Sequence, residues 1–173
     1  RGPPRYSGAR SPRAGERGWD PFCGSGLELV ECARRADAPL ALRGTDLDEA
    51  ALVAARANLD AAGVTAALEL ADARAYAPGP VELIVTNPPL GSRVHVDAAA
   101  LLAATIPGLS RALVPGGRLV WITPAAKHTA PVLERAGLRC ARSLPVDLGG
   151  VRGRLERWDK PSPHRSRRAR RPV

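Results

Sequence analysis

The segment Thr86-Asn87-Pro88-Pro89-Leu90-Gly91 holds the residues of this 173-residue chain best suited to chemistry. An amino group on an aromatic ring or an acyl carbon is a poor nucleophile, because its lone pair is delocalised. Two acceptors on its hydrogens would turn that lone pair toward an electrophile. The Asn87 side-chain oxygen and the Pro88 carbonyl are such acceptors. The adjacent prolines stiffen the loop, so the acceptors are set before the amine arrives. Asn87, Pro88, Pro89 and Leu90 are therefore the candidate catalytic residues. An in-line displacement of this kind needs no metal and no covalent intermediate on the protein. Alone, Asn-Pro-Pro reads as a turn. Its meaning comes from its place, about 60 residues after a glycine-rich loop.

That loop is Asp20-Pro21-Phe22-Cys23-Gly24-Ser25-Gly26. Residues without a Cβ let a ligand approach the backbone, and a following helix start offers free N–H groups. A dinucleotide fingerprint wants G-x-G-x-x-G; Gly24 and Gly26 fill the first two places, but Leu29 stands in the third. No Lys-Ser or Lys-Thr follows, which excludes a Walker phosphate loop. An acid before the turn suits a cationic, amine-bearing ligand better than a pyrophosphate. S-adenosylmethionine carries both a sulfonium and an amine. Two further acids follow later apolar runs. Asp46, in Gly44-Thr45-Asp46-Leu47-Asp48, lies about 20 residues past Gly26, the offset at which a carboxylate meets ribose hydroxyls. Asp72, in Ala71-Asp72-Ala73, is a candidate acceptor for an adenine amino group. Asp48 reads as a helix cap. Each acid alone is an ordinary loop carboxylate; together they favour an adenosine-bearing ligand. The candidate cofactor-binding set is Asp20, Pro21, Gly24, Gly26, Asp46, Asp72 and Asn87.

The elements that must position these groups alternate. Strands are expected at Trp19–Phe22, Leu40–Thr45, Ala67–Leu70, Val81–Thr86 and Arg118–Thr123, the last entered through a Pro115-Gly116-Gly117 turn. Helices are expected at Ser25–Ala36, with Leu27, Leu29, Val30, Cys32 and Ala33 on its apolar face, and from Asp48 to Ala62, ended by Gly63. Further helices are expected at Ala98–Leu113, kinked or split by Pro107, and Ala125–Ala136. Leu138–Leu148 and Val151–Trp158 flank Gly149-Gly150 as a closing hairpin. This order predicts an α/β fold: a doubly wound, mostly parallel sheet with helices on both faces and a C-terminal antiparallel hairpin. Ligands of such sheets bind at the carboxyl ends of the strands, where the motifs fall.

Charge divides the chain. The net charge is +9, yet residues 1–18 carry +4 and residues 160–173 carry +6, leaving −1 between them. We expect a loop or incomplete segment over 1–16, the domain over 17–159, and a basic, disordered tail over 160–173. Basic tails of this kind either grip phosphates by releasing counterions or simply solubilise. Only two of the 26 basic residues are Lys. Arg at position 1 and the absence of Met predict that the chain is a fragment or has a misassigned start. No apolar run nears the roughly 20 residues of a membrane helix, and no signal peptide is visible. Cys23, Cys32 and Cys140 are too few and too scattered for a disulfide framework or a zinc site. A cytoplasmic protein with reduced thiols and no membrane partner is expected. His95, His128 and His164 lack metal spacing and read as surface residues. Arg93 reads as solvated or touching a phosphate, and Trp121 and Trp158 read as core. Cys23 reads as a small residue of the loop.

The wording Trp-Asp-Pro-Phe-Cys-Gly-Ser-Gly, Thr-Asp-Leu-Asp, Ala-Asp-Ala-Arg and Thr-Asn-Pro-Pro-Leu-Gly, across residues 17–158, resembles class I amino-methyltransferases. Within these it is similar to the RNA guanine-N2 methyltransferases that carry THUMP domains. The resemblance implies a seven-stranded fold binding S-adenosylmethionine. It puts Asp20, Gly24 and Gly26 around the methionine part, Asp46 at the ribose, Asp72 at the adenine, and Asn87 to Leu90 at the target amine. It also implies an RNA substrate, tRNA or rRNA. The chain departs from the family in two places: Leu90 stands where a stacking Tyr or Phe is usual, and a THUMP domain would precede residue 1. Three outcomes stay open on the residues: an RNA amine, guanine N2 first; a protein glutamine amide or a DNA base amine; and a degenerate domain that binds S-adenosylmethionine without catalysis.

Overall fold

The computed structural model describes residues 12–88, 98–147 and 152–163. In chain order the elements are β1 (Arg17–Asp20), α1 (Leu27–Arg35), β2 (Ala41–Asp46), α2 (Glu49–Ala62), β3 (Ala66–Leu70) and β4 (Val81–Thr86). They continue with α3 (Ala98–Ala112), β5 (Leu113–Thr123), α4 (Ala126–Arg135), β6 (Arg139–Asp147) and β7 (Arg152–Asp159). The seven strands form one sheet in the order β3-β2-β1-β4-β5-β7-β6. β1 to β5 run parallel, and β7 lies antiparallel between β5 and β6. This is the expected doubly wound architecture. The strand order reverses between β1 and β4, so the β1 and β4 loops meet there. No helix among the described residues is long and apolar enough to cross a membrane.

Each face of the sheet has its own core. Trp19, Ile84, Leu119, Trp121 and Trp158 meet Leu102, Ile106 and Leu109 of α3 and Leu133 of α4. Leu42 and Leu83 pack in a second cluster with Leu29, Val30 and Cys32 of α1 and Leu59 of α2. Trp121 and Trp158 are core, as read. Leu27 is not on the buried face of α1: it is 57% exposed, because the helix starts at Leu27 itself, after Gly26. The caps of α2 are those expected, with Asp48 Oδ1 accepting the Ala50 N–H at 2.9 Å and Gly63 closing the helix.

Three proline-bearing segments also differ from expectation. β1 begins and ends two residues earlier than predicted, since Pro21 has no N–H for the ladder and Phe22 turns away with it. α3 is not split at Pro107; it continues to Ala112, with Thr105, Ile106, Gly108 and Leu109 around the proline all buried. Pro115-Gly116-Gly117 does not precede β5 but lies inside it as an irregularity: Val81 pairs with Leu113, and Leu83 already with Arg118. The hairpin turn at Gly149-Gly150 lies outside the described residues.

Chain flanking β1 to β7 also packs on the fold. Glu16 accepts two bonds from the Arg118 guanidinium, at 3.0 and 2.8 Å, with both side chains under one-tenth exposed. Burial works against the Glu16 charge, but Arg118 and the Arg13 N–H outweigh it and hold the carboxyl below its usual range. Beyond β7, Lys160 exchanges backbone bonds with Gly116 and Gly117. Its Nζ donates to the Ser110 and Leu113 carbonyls at 2.7 and 2.8 Å, a cation capping the end of α3.

Removing one partner of a buried ion pair leaves the other charge stranded. Glu16→Ala is expected to lower unfolding free energy by about 3 kcal/mol, measured by urea titration. Glu16→Leu with Arg118→Met should cost much less. Equal losses in the two proteins would mean that the pair is not the source of the stability.

Candidate functional site

The three acids and the Asn-Pro loop come together at the carboxyl ends of four adjacent strands, β3, β2, β1 and β4. Asp20 ends β1, Asp46 ends β2, Asp72 follows β3 and Asn87 follows β4.

The glycine loop is shaped by bonds from its neighbour β2. The Cys23 N–H donates to the Thr45 carbonyl at 2.9 Å, and the Gly26 N–H to the Cys23 carbonyl at 2.7 Å. The Thr45 hydroxyl donates to the Pro21 carbonyl at 3.3 Å and accepts the Trp19 indole N–H at 3.1 Å. Asp46 holds the turn itself: Oδ2 accepts the Gly24 N–H at 2.8 Å, while Oδ1 accepts the Asp48 N–H at 3.0 Å. The sequence reading of Asp46 missed this second duty, since nothing local marks a bond across 22 residues. Gly24 and Gly26 have φ of 48° and 79°, the left-handed region that side chains avoid. A Cβ on Gly26 would also sit 3.2 Å from Ala55 Cβ of α2, whereas one on Gly24 would meet nothing within 4 Å. Gly26 therefore serves helix packing, and Gly24 leaves the backbone open.

Asp20 is fully buried. Its Oδ1 accepts the Phe22 N–H at 3.1 Å, while Oδ2 has no hydrogen-bond partner. The Thr86 hydroxyl, at the end of β4, is buried and unpartnered as well. It is close enough to favour the Asp20 charge, yet the two complete no bond of good geometry. Burial dominates and pushes the Asp20 carboxyl up to about 8, with Glu28 and Asp46 adding to the rise. Burial also raises the Cys23 thiol, to about 12, with Asp20 and Asp46 adding to it. Such a thiol is inert, as its reading as a small loop residue requires.

Asp72 shapes a turn of its own. Its Oδ1 accepts the Arg74 N–H at 2.9 Å, and its carboxylate pairs with the Arg74 guanidinium. Arg74 holds the Asp72 carboxyl below its usual range. Asn87 is exposed and Pro88 is buried. Pro89, Leu90, Gly91, Arg93, His95 and His164 lie outside the described residues. His128 is exposed, as expected. A cleft of about 580 Å³ runs along β6 beside Arg139, Cys140 and Pro161. It brings together none of the groups above.

The family UPF0020 (RMKL-like, methyltransferase domain) matches residues 10–154. The chain belongs to this family. Among solved structures the methyltransferase domain is similar to TrmN from Thermus thermophilus, with 31% identity and a TM-score of 0.70 over 86% of this chain and 45% of that one. It is 29% identical to the tRNA (guanine(6)-N2)-methyltransferase of Archaeoglobus fulgidus, over 76% of this chain and 41% of the relative. The chain thus spans less than half the length of these relatives. The N-methyltransferase NodS from Bradyrhizobium japonicum, solved with S-adenosyl-L-homocysteine, shares the fold at 16% identity and a TM-score of 0.69, over 86% of this chain and 80% of that one.

A carboxyl raised to about 8 has a defined effect on stability. Above the ordinary carboxylate range the unfolded methyltransferase domain has lost this proton and the folded one keeps it. Stability therefore falls as pH rises toward about 8. Asp20→Asn, without ligand, is expected to gain stability relative to the parent as pH rises from about 5 to about 8, followed by urea unfolding at stepped pH. A difference independent of pH would mean that Asp20 is ionised in the folded protein throughout.

Proposed function

We propose that this domain transfers a methyl group from S-adenosylmethionine to an exocyclic amine of an RNA base, guanine N2 of tRNA or rRNA. One observation carries the reading. Strand order brings the acid-and-glycine loop of β1 beside the Asn-Pro loop of β4, with Asp46 and Asp72 on the next two strands. The sequence similarity to a tRNA guanine-N2 methyltransferase supports the choice of amine and of RNA.

The residues present suit the cofactor. Asp46 and Asp72 are carboxylates at this end of the sheet, and Asp20, protonated while the site is empty, would ionise more readily beside a bound sulfonium or amine. Gly24 leaves loop backbone free of side chain, and a buried Asp20 oxygen lacks a partner from the protein. Asp20, Pro21, Gly24 and Gly26 would hold the methionine part, Asp46 the ribose and Asp72 the adenine. Bound there, the cofactor supplies a methyl group on an electron-poor sulfur.

The rest of the work falls to the Asn87 loop. The Asn87 side-chain oxygen and the Pro88 carbonyl accept the two hydrogens of the target amine and turn its lone pair toward the methyl. Buried Pro88 keeps its carbonyl from swinging away. Pro89 stiffens the segment, and Leu90 gives the target base apolar contact. Acceptors fixed in advance spend no reorganisation at the moment of transfer.

Asn87→Ala is expected to lower the transfer rate by about 10²–10³-fold while weakening S-adenosylmethionine binding far less, since Asn87 is one of several residues at the cofactor and a principal acceptor of the target amine. The check is radiolabelled methyl transfer into separate pools of undermethylated RNA, DNA and protein, with binding measured by calorimetry. Label in RNA alone, absent with Asn87→Ala, is the expected result. Label in DNA or protein overturns the RNA reading. Joint loss of binding and transfer overturns the division of roles.

A further inference from the structure

Tyr76 makes contacts that the reading above does not use. It lies in the helix-free stretch between β3 and β4 and packs against the core. Its hydroxyl donates to Glu69 Oε1 of β3 at 2.6 Å and accepts from Arg43 Nη1 of β2 at 2.7 Å. Arg43 and Glu69 also pair directly, at 3.2 Å. The ring rests against Trp19, centroids 5.8 Å apart, and Trp19 is fully buried and bonded to Thr45. One side chain thus ties this stretch to β1, β2 and β3 together.

The backbone of Tyr76 connects that anchor to Asp72. The N–H groups of Tyr76 and Ala75 both donate to the Asp72 carbonyl, at 2.9 and 3.0 Å. The Ala71 N–H donates to the Asp46 carbonyl at 2.9 Å, and Ala73 between them is buried. Residues 71–76 therefore form a single tight turn. Asp46 pins its start and Tyr76 its end, and Asp72 sits inside it.

We propose that Tyr76 is a positioning residue that sets a preference for a 6-amino purine over a 6-oxo purine, by fixing the turn that presents Asp72. The proposal rests on the placement of Asp72 at the adenine given above. An ionised carboxylate is an acceptor only. Arg74 of the same turn already donates to it, and the lone pairs left to the carboxylate bond a 6-amino group but repel the carbonyl of a 6-oxo purine. That discrimination lasts only while the carboxylate stays in position. A Tyr76 that merely packed against Trp19 would affect both purines alike.

The test is calorimetric titration of the full chain with S-adenosylhomocysteine and with its inosine counterpart. The proteins compared are the parent, Tyr76→Phe, Glu69→Leu and Glu69→Gln. The parent is expected to favour the adenosine ligand. Tyr76→Phe and Glu69→Leu should cut that preference about three- to tenfold, through weaker adenosine binding with inosine binding little changed. Glu69→Gln, which keeps an acceptor for the Tyr76 hydroxyl, should retain the preference. An unchanged ratio in Tyr76→Phe, or equal weakening of both ligands, overturns the proposal alone. A parent without preference, or one that binds neither ligand, overturns the underlying placement of the cofactor and the proposal with it.

Discussion

The Asp46 carboxylate is the contact on which this end of the molecule depends. One oxygen holds the Gly24 N–H of the β1 loop, and the other holds the Asp48 N–H that leads into α2. Asp48 in turn caps that helix, and Ala55 of the same helix packs under Gly26. The Asp46 carbonyl receives the Ala71 N–H that starts the Asp72 turn. Three loops from three strands thus take their shape from one residue. A carboxylate that accepts two backbone N–H bonds has spent much of its acceptor capacity but retains lone pairs for a further donor.

Beside this satisfied acid stands an unsatisfied one. Asp20 and Thr86 bury polar oxygens that the protein leaves unpaired, a cost of about 1–3 kcal/mol for each such group. Stability would favour an apolar pair at the ends of β1 and β4. Conflicts of this kind between local stability and observed residue concentrate at functional sites. These two lie where strand order reverses, beneath the two motif loops.

The other half of the sheet is organised by a different buried acid. Glu156 of β7 accepts both indole N–H groups, from Trp121 at 3.2 Å and Trp158 at 2.9 Å, and the Ser143 hydroxyl at 3.0 Å. Three donors from three strands converge on one carboxylate, so β5, β7 and β6 are locked in register around it. This fixes the far wall of the core on which β4 and its Asn-Pro loop rest.

Much of the site was legible because its signals are local. The Trp-Asp-Pro-x-x-Gly-x-Gly wording marks a strand end, a turn and a helix start whatever surrounds it. Val81–Thr86 is likewise a strand by its own composition, so Asn87 had to stand at its end. The alternation of such units was enough for the fold class, and Asp48, Gly63 and the two tryptophans were placed by the same local rules. The boundaries at Pro21 and Pro107 were not, since whether a proline ends an element depends on the neighbouring strand or core. Nothing local announces that Glu16 meets Arg118 across 102 residues, that Asp46 holds Gly24, or that Tyr76 reaches back to Arg43. Those bonds exist because β1 lies between β2 and β4, and because β5 follows β4 in the sheet. The sequence by itself determined which groups stand at the strand ends. Only the tertiary structure decided which of them meet, because a hydrogen bond acts over about 3 Å and strand order alone brings distant residues that close.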